Sequence, residues 1–112
     1  MNLVGEVYRL CAVFPREERF GLSAQLKRAA VSIPSNIAEG ARRRRRRPFV
    51  LHLEVALGSQ AELEVQLELA AQLGFVNEAD YTAIQERADH GGRMLNRLID
   101  RLRDDQRLTT HD

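Results

Sequence analysis

Apolar residues recur along this chain at three- and four-residue intervals, the spacing that places side chains on one face of an α-helix. Leu3, Val7, Leu10 and Phe14 form the first stripe, and Pro15 follows it. Proline lacks an amide hydrogen and disfavours helical geometry in the residue before it, so the pattern predicts a first helix over Leu3–Phe14. Arg16 to Gly21 is a charged connection. Leu22, Leu26, Ala29, Ile33 and Ile37 mark a second helix over Leu22–Glu39, with Ser23 as its expected cap and Gly40 as its expected end. Pro34 inside that stripe predicts a kink or a restart capped by Ser35 or Asn36.

A third stripe runs through Phe49, Leu53, Ala56, Leu63, Leu67 and Ala70, widened by Val50, Leu57 and Leu73. It predicts a helix over Phe49–Leu73, with Pro48 tolerated at its start and Gly74 as a left-handed cap. After a polar turn at Asn77–Asp80, the residues Ile84, Ala88, Gly91, Leu95, Leu98 and Leu102 predict a fourth helix over Tyr81–Asp104. Residues 105–112 are polar and are expected to form a flexible tail on a single domain spanning 1–112. No segment keeps the two-residue alternation of a strand beside a hairpin turn. The expected fold class is all-α, an antiparallel four-helix bundle with a short first helix. A first helix of about 12 residues, roughly 18 Å, cannot cover a third helix of roughly 37 Å. The apolar surface left over predicts a homo-oligomer.

Composition narrows the class. The chain has 112 residues, enough for one domain, and a hydrophobic content of 44% suits a globular core. No apolar run approaches the roughly 20 residues that span a bilayer, so no membrane is expected as a partner. The lone Cys11 cannot form an internal disulfide, and the N-terminus lacks a signal-peptide pattern, so the expected location is cytoplasmic. The net charge of +1 hides segregation: residues 1–53 carry eleven Arg or Lys and four acids, net +7, and residues 54–112 carry six basic residues and twelve acids, net −6.

The spacing of Cys, His, Lys and Gly supplies no zinc pattern, phosphate-binding loop or dinucleotide fingerprint, and no cofactor is expected. Cys11 sits beside the first stripe and is expected to be buried, while His52, His90 and His111 lack metal-ligand spacing. Glu64 and Glu68 lie one helical turn apart, but with Gln72 they continue a polar stripe expected to be solvated or ion-paired. Di-iron bundles need convergent Glu and Glu-x-x-His units, which are not spelled here. Gly58–Ser59 and Gly91–Gly92 are small pairs where helices 3 and 4 are expected to cross. The strongest functional candidate is the run Arg42, Arg43, Arg44, Arg45, Arg46 and Arg47, which Lys27 and Arg28 extend. Six adjacent guanidinium groups repel one another unless water, acids or phosphates surround them, which leaves a solvated linker, a contact with the acidic helix or another subunit, and a polyanion site as alternatives. No aromatic residues interleave the run, so a nucleic acid would be held by its phosphates and shape.

Phe14-Pro15, Glu18, Gly21-Leu22, Gln25 and the stretch Arg28-Ala29-Ala30-Val31-Ser32-Ile33-Pro34-Ser35-Asn36-Ile37-Ala38-Glu39-Gly40 resemble the bacterial four-helix-bundle proteins encoded in some 23S ribosomal RNA intervening sequences. Phe49, Leu53, Ala56-x-Gly58-Ser59, Glu62-Leu63-Glu64, Gln66-Leu67, Ala70 and Leu73-Gly74-Phe75 continue the resemblance in register. It implies a cytosolic bundle that assembles as a ring-like homo-oligomer, pentameric in related proteins, without established catalytic chemistry. Related accessory proteins of diversity-generating retroelements engage nucleic acid and a protein partner, a reverse transcriptase, through basic bundle surfaces. The chain departs from the family's pattern in its shorter first helix, in Arg45 and Pro48 where a Ser and an acid are usual, and in His52 where an aromatic is usual. The expected function is a noncatalytic oligomeric scaffold or adaptor that binds structured RNA through the arginine run. The opposing class is a small metal-dependent or acid/base enzyme with a site in the bundle core.

Overall fold

The computed structural model of the protein describes residues 2–18 and 21–109. Among them the chain forms four α-helices and no strand: α1 (Leu3–Cys11), α2 (Leu22–Arg42), α3 (Arg46–Gln72) and α4 (Glu78–Thr109), with a 3-10 turn at Arg16–Glu18. The helices pack in the cyclic order α1, α2, α3, α4, so α1 lies diagonally across from α3. The particle measures 52 × 23 × 21 Å.

The apolar stripes place the helices correctly, and the ends differ for local reasons. Asn2 caps α1 by accepting from the Val4 and Gly5 amides at 2.9 and 3.4 Å. α1 ends at Cys11 rather than Phe14, because Pro15 turns the preceding residues out of the helix, and the Val13 and Phe14 amides close a tighter turn on Leu10 and Cys11. Phe14 stays buried, its ring 5.5 Å from that of Phe75. Ser23 is not the cap of α2. Gly21 holds that position, and the Glu18 carboxylate accepts from the Leu22 amide at 3.2 Å.

Pro34 neither breaks α2 nor restarts it; the helix runs through to Arg42. A helix-interior proline costs about 3 kcal/mol, and the long packed contact of α2 with α3 offsets that loss. Ser35 and Asn36 therefore cap nothing, and the Asn36 amide donates to the Ser32 carbonyl at 2.9 Å. Gly40 is not a terminus either. It is buried inside α2, facing Phe49 and His52 of α3. At the far end of α3, Gly74 does adopt the left-handed conformation, with φ 82°. Asn77 caps α4 by accepting from the Asp80 amide at 2.8 Å. Of the segment 105–112, the backbone is helical through Thr109, and 110–112, with His111, lie outside the described residues, as do Arg19 and Phe20 of the charged connection.

Two clusters form the core. The larger joins all four helices through Val7, Leu10, Leu26, Leu63, Leu67 and Ala88. The smaller joins only α2, α3 and α4, around Val50, Leu53, Ala56, Leu95 and Ile99. The difference is the length of α1: nine residues rise roughly 14 Å, against roughly 40 Å for the 27 residues of α3.

The arginine turn and the groove beside α1

The six arginines do not form a six-residue linker. Arg42 ends α2 and Arg46 and Arg47 begin α3, which leaves Arg43, Arg44 and Arg45 as the connection. Arginine is a good helix former, and Pro48 falls among the first-turn positions whose amides lack intrahelical partners, so both helices extend into the run. The reversal is made by Arg44, at φ 59°. That left-handed conformation costs a residue with a Cβ roughly 1–2 kcal/mol. Arg43 pairs with Glu39 at 3.2 Å, both side chains about half exposed. Arg44, Arg45 and Arg46 line, with Phe49 and Leu102, a depression of about 650 Å³. Arg45 makes no capping hydrogen bond, and no acid stands in the first turn of α3. The positive end of that helix thus adds to the guanidinium charges around it.

Lys27 and Arg28 do not join this patch. Fifteen residues of α2 separate Lys27 from Arg42, roughly 22 Å along the axis. The Lys27 ammonium instead lies 5.0 Å from the centre of the Tyr8 ring. Glu54 of the acidic helix pairs with Arg103 of α4.

Other candidate groups have local partners. His52 Nδ1 shares a 3.2 Å hydrogen bond with Asn36, and His90 is exposed. Glu64 departs from the expected solvated stripe: it accepts from Gln60 and, at 2.5 Å, from Gln85, while Glu68 is exposed. Gln60 is buried and also donates to the Ala88 carbonyl at 2.9 Å, and Gly92 packs closely against the Gln60 side chain. The crossing of α3 and α4 is therefore Gln60 on Gly92, and Gly58 takes no part in it. No group of three or more His, Cys, Asp or Glu among the described residues is placed to hold a metal. No helix among them is long and apolar enough to cross a membrane.

Cys11 is buried, its Sγ donating to the Ser23 carbonyl at 3.7 Å. Burial raises its pKa above 9.0, against smaller lowering by Ser23 and Lys27. A thiol whose folded pKa is raised contributes stability that is present below its unfolded pKa and lost as the pH rises through the folded one. Cys11 should therefore alkylate about tenfold more slowly in the folded than in the urea-unfolded protein at pH 8, measured by mass spectrometry with iodoacetamide. Equal rates would mean an exposed thiol.

The apolar surface that the short first helix leaves uncovered lies in a groove between α2 and α4, a place the apolar pattern does not specify. Below the N-terminal end of α1 the fourth corner of the bundle is open, a trough of about 540 Å³ walled by Ile33 and Ile37 on one side and Met94 and Leu98 on the other, with Arg97 and Arg101 along it. Its sequence signals are the shortness of the first apolar stripe beside the third and the four-residue spacing of Arg97 and Arg101 on α4.

The sequence matches the profile of the 23S rRNA-intervening sequence protein family over residues 1–97. No curated protein matches the chain. Among solved structures, a protein of unknown function from the S23 ribosomal protein family of Bacteroides thetaiotaomicron is similar, with 25% identity and a TM-score of 0.76 over 86% of this chain and 87% of that one.

Proposed function

The chain belongs to the 23S rRNA-intervening sequence protein family, and we propose that it is a noncatalytic oligomeric scaffold or adaptor that holds structured RNA against its arginine turn in the cytoplasm. The observation that carries this reading is the turn, where exposed arginines meet an uncapped, acid-free helix start around an open depression. Guanidinium groups fit phosphate oxygens with paired donors, and an anion there relieves both the mutual repulsion and the unfavourable charge at the start of α3. A ring such as a pentamer multiplies these contacts, because each further turn binds at high effective concentration.

The test compares the intact protein with a variant carrying Arg42 to Arg47 all as Gln, binding a folded RNA, duplex DNA and a non-nucleic polyanion across a salt series. The variant should lose RNA affinity about tenfold or more at low salt and show a shallower salt slope, with helix content and assembly mass unchanged. Unchanged RNA binding rejects the turn as the site. Equal binding of every polyanion by the intact protein reduces the role to electrostatic capture.

A further inference from the structure

Several arginines of the bundle are held by acids: Arg43, Arg87 and Arg103 pair with Glu39, Glu6 and Glu54. The basic residues within α2 are not. Lys27, Arg28 and Arg42 have no acid partner among the described residues, and the one acid of that helix, Glu39, is taken by Arg43 of the turn. Their charge is open to an anion from outside the chain.

Arg28 and Arg42 share a face. Their separation along α2 is roughly 3.9 helical turns, so the two side chains leave the helix in nearly the same direction, roughly 21 Å apart along its axis. That direction is away from the core, which α2 meets through Leu22, Leu26, Ala29, Ala30 and Gly40. Between the two arginines Val31, Ser35 and Ala38 are exposed on the same face, all small and uncharged. Lys27 stands beside Arg28 on the side of α1, its ammonium 5.0 Å from the centre of the Tyr8 ring. Tyr8 is 46% exposed, so this contact fixes a lysine head at the surface instead of leaving it to sweep through water.

We propose that an RNA stem held at the arginine turn runs back along the outer face of α2 and is held a second time by Lys27 and Arg28, with Tyr8 positioning the lysine. This deepens the role proposed for the turn and rests on it. Both anchors contact phosphates, and the small side chains between them let the sugar-phosphate backbone lie close to α2. A duplex advances roughly 3 Å per base step, so the span corresponds to about seven steps. A free phosphate or a mononucleotide cannot reach both anchors. The ligand is therefore a stem that extends well beyond the turn. Once caught there, it meets the second anchor at high effective concentration, because one rigid helix carries both.

Stem length separates two anchors from one. Binding is measured across a salt series for an RNA hairpin of about four base pairs, too short to reach from the turn to Arg28, and for one of about twelve. Lys27→Gln with Arg28→Gln should weaken the long stem about tenfold at low salt and make its salt slope shallower by about 2, and should leave the short stem unaffected. Arg93→Gln with Arg97→Gln removes the same charge from α4 and should cost the long stem no more than about twofold. Tyr8→Leu keeps every charge and should cost the long stem about threefold, whereas Tyr8→Phe, which keeps the ring, should cost nothing. Each variant should retain wild-type helix content by circular dichroism. An α2 variant that binds the long stem like wild type, while the variant with Arg42 to Arg47 changed to Gln loses it, overturns the second anchor alone. Equal losses on both stems, or an equal loss from the α4 variant, trace the effect to net charge and overturn it as well. If neither the α2 variant nor the turn variant loses affinity, this proposal and the role of the turn fall together. Wild-type binding by Tyr8→Leu removes the ring from the anchor.

Discussion

Leu67→Ala lowers the stability of the protein by about 3–4 kcal/mol, enough to leave a domain of this size near its unfolding threshold. Leu67 is wholly buried in the four-helix half of the core, in one cluster with Val7, Leu26, Leu63 and Ala88. Truncation removes the transfer free energy of the lost carbons and leaves a cavity that helices held on every side cannot close. The measurement is urea unfolding followed by circular dichroism at one protein concentration, so that assembly contributes equally to each variant. Val13→Ala is the control, because Val13 is 76% exposed in the turn after α1 and its loss should change stability by no more than about 0.5 kcal/mol. Equal losses at the two positions would mean that the apolar stripe of α3 does not face the core.

That stripe was legible in the sequence because helical periodicity is a local property. Leu53, Ala56, Leu63, Leu67 and Ala70 announce a buried face without any knowledge of what covers them, and all five are fully buried. The ends were harder, because they depend on terms that do not repeat. Phe14 keeps its place in the apolar pattern and is buried, yet it lies outside α1 because Pro15 governs its backbone. Pro34 carries the strongest helix-breaking signal in the chain and fails to break α2, since a long contact with α3 outweighs one lost hydrogen bond.

The candidate site divides in the same way. The arginine run is visible as composition, but its shape depends on where two helices stop. The sequence leaves a solvated linker, a contact with the acidic helix or another subunit, and a polyanion site open, and the structure makes a three-residue reversal with Arg44 in a left-handed conformation. Lys27 and Arg28 share the basic character of Arg42 and sit on the same helix, but helix length alone holds them apart from it. Helix lengths alone leave apolar surface uncovered, but which corner of the bundle stays open depends on the packing order of the helices. Gly58 and Gly91 were visible as small residues, but their shared lack of an intrachain neighbour was not.

Gly40 bears most directly on the arginine turn, and its replacement carries the second large effect. Gly40→Val should destabilise the protein by about 3 kcal/mol, and Gly40→Ala by about 1–2 kcal/mol even though alanine is the better helix former. A Cβ at this position would lie 2.8 Å from the Cβ of His52, 3.0 Å from the Phe49 ring and 3.3 Å from the Phe49 carbonyl oxygen. The first and last of these atoms are fixed to the α3 backbone, so no rotamer change relieves the contact, and α2 and α3 must separate where they enter the turn. If Gly40 were instead the end of α2, as its place in the sequence suggests, the cost would come from backbone conformation and would differ little between Ala and Val. A double-mutant cycle in urea separates the two origins. His52→Ala keeps the offending Cβ and should leave the cost of Gly40→Ala unchanged, whereas His52→Gly removes it and should recover part of that cost. Equal recovery in both backgrounds would trace the effect to the imidazole and its bond to Asn36. The turn begins only a few residues beyond this contact, so, if the turn holds RNA as proposed, a variant that stays folded with α2 and α3 forced apart should bind it more weakly than wild type, without losing a single arginine.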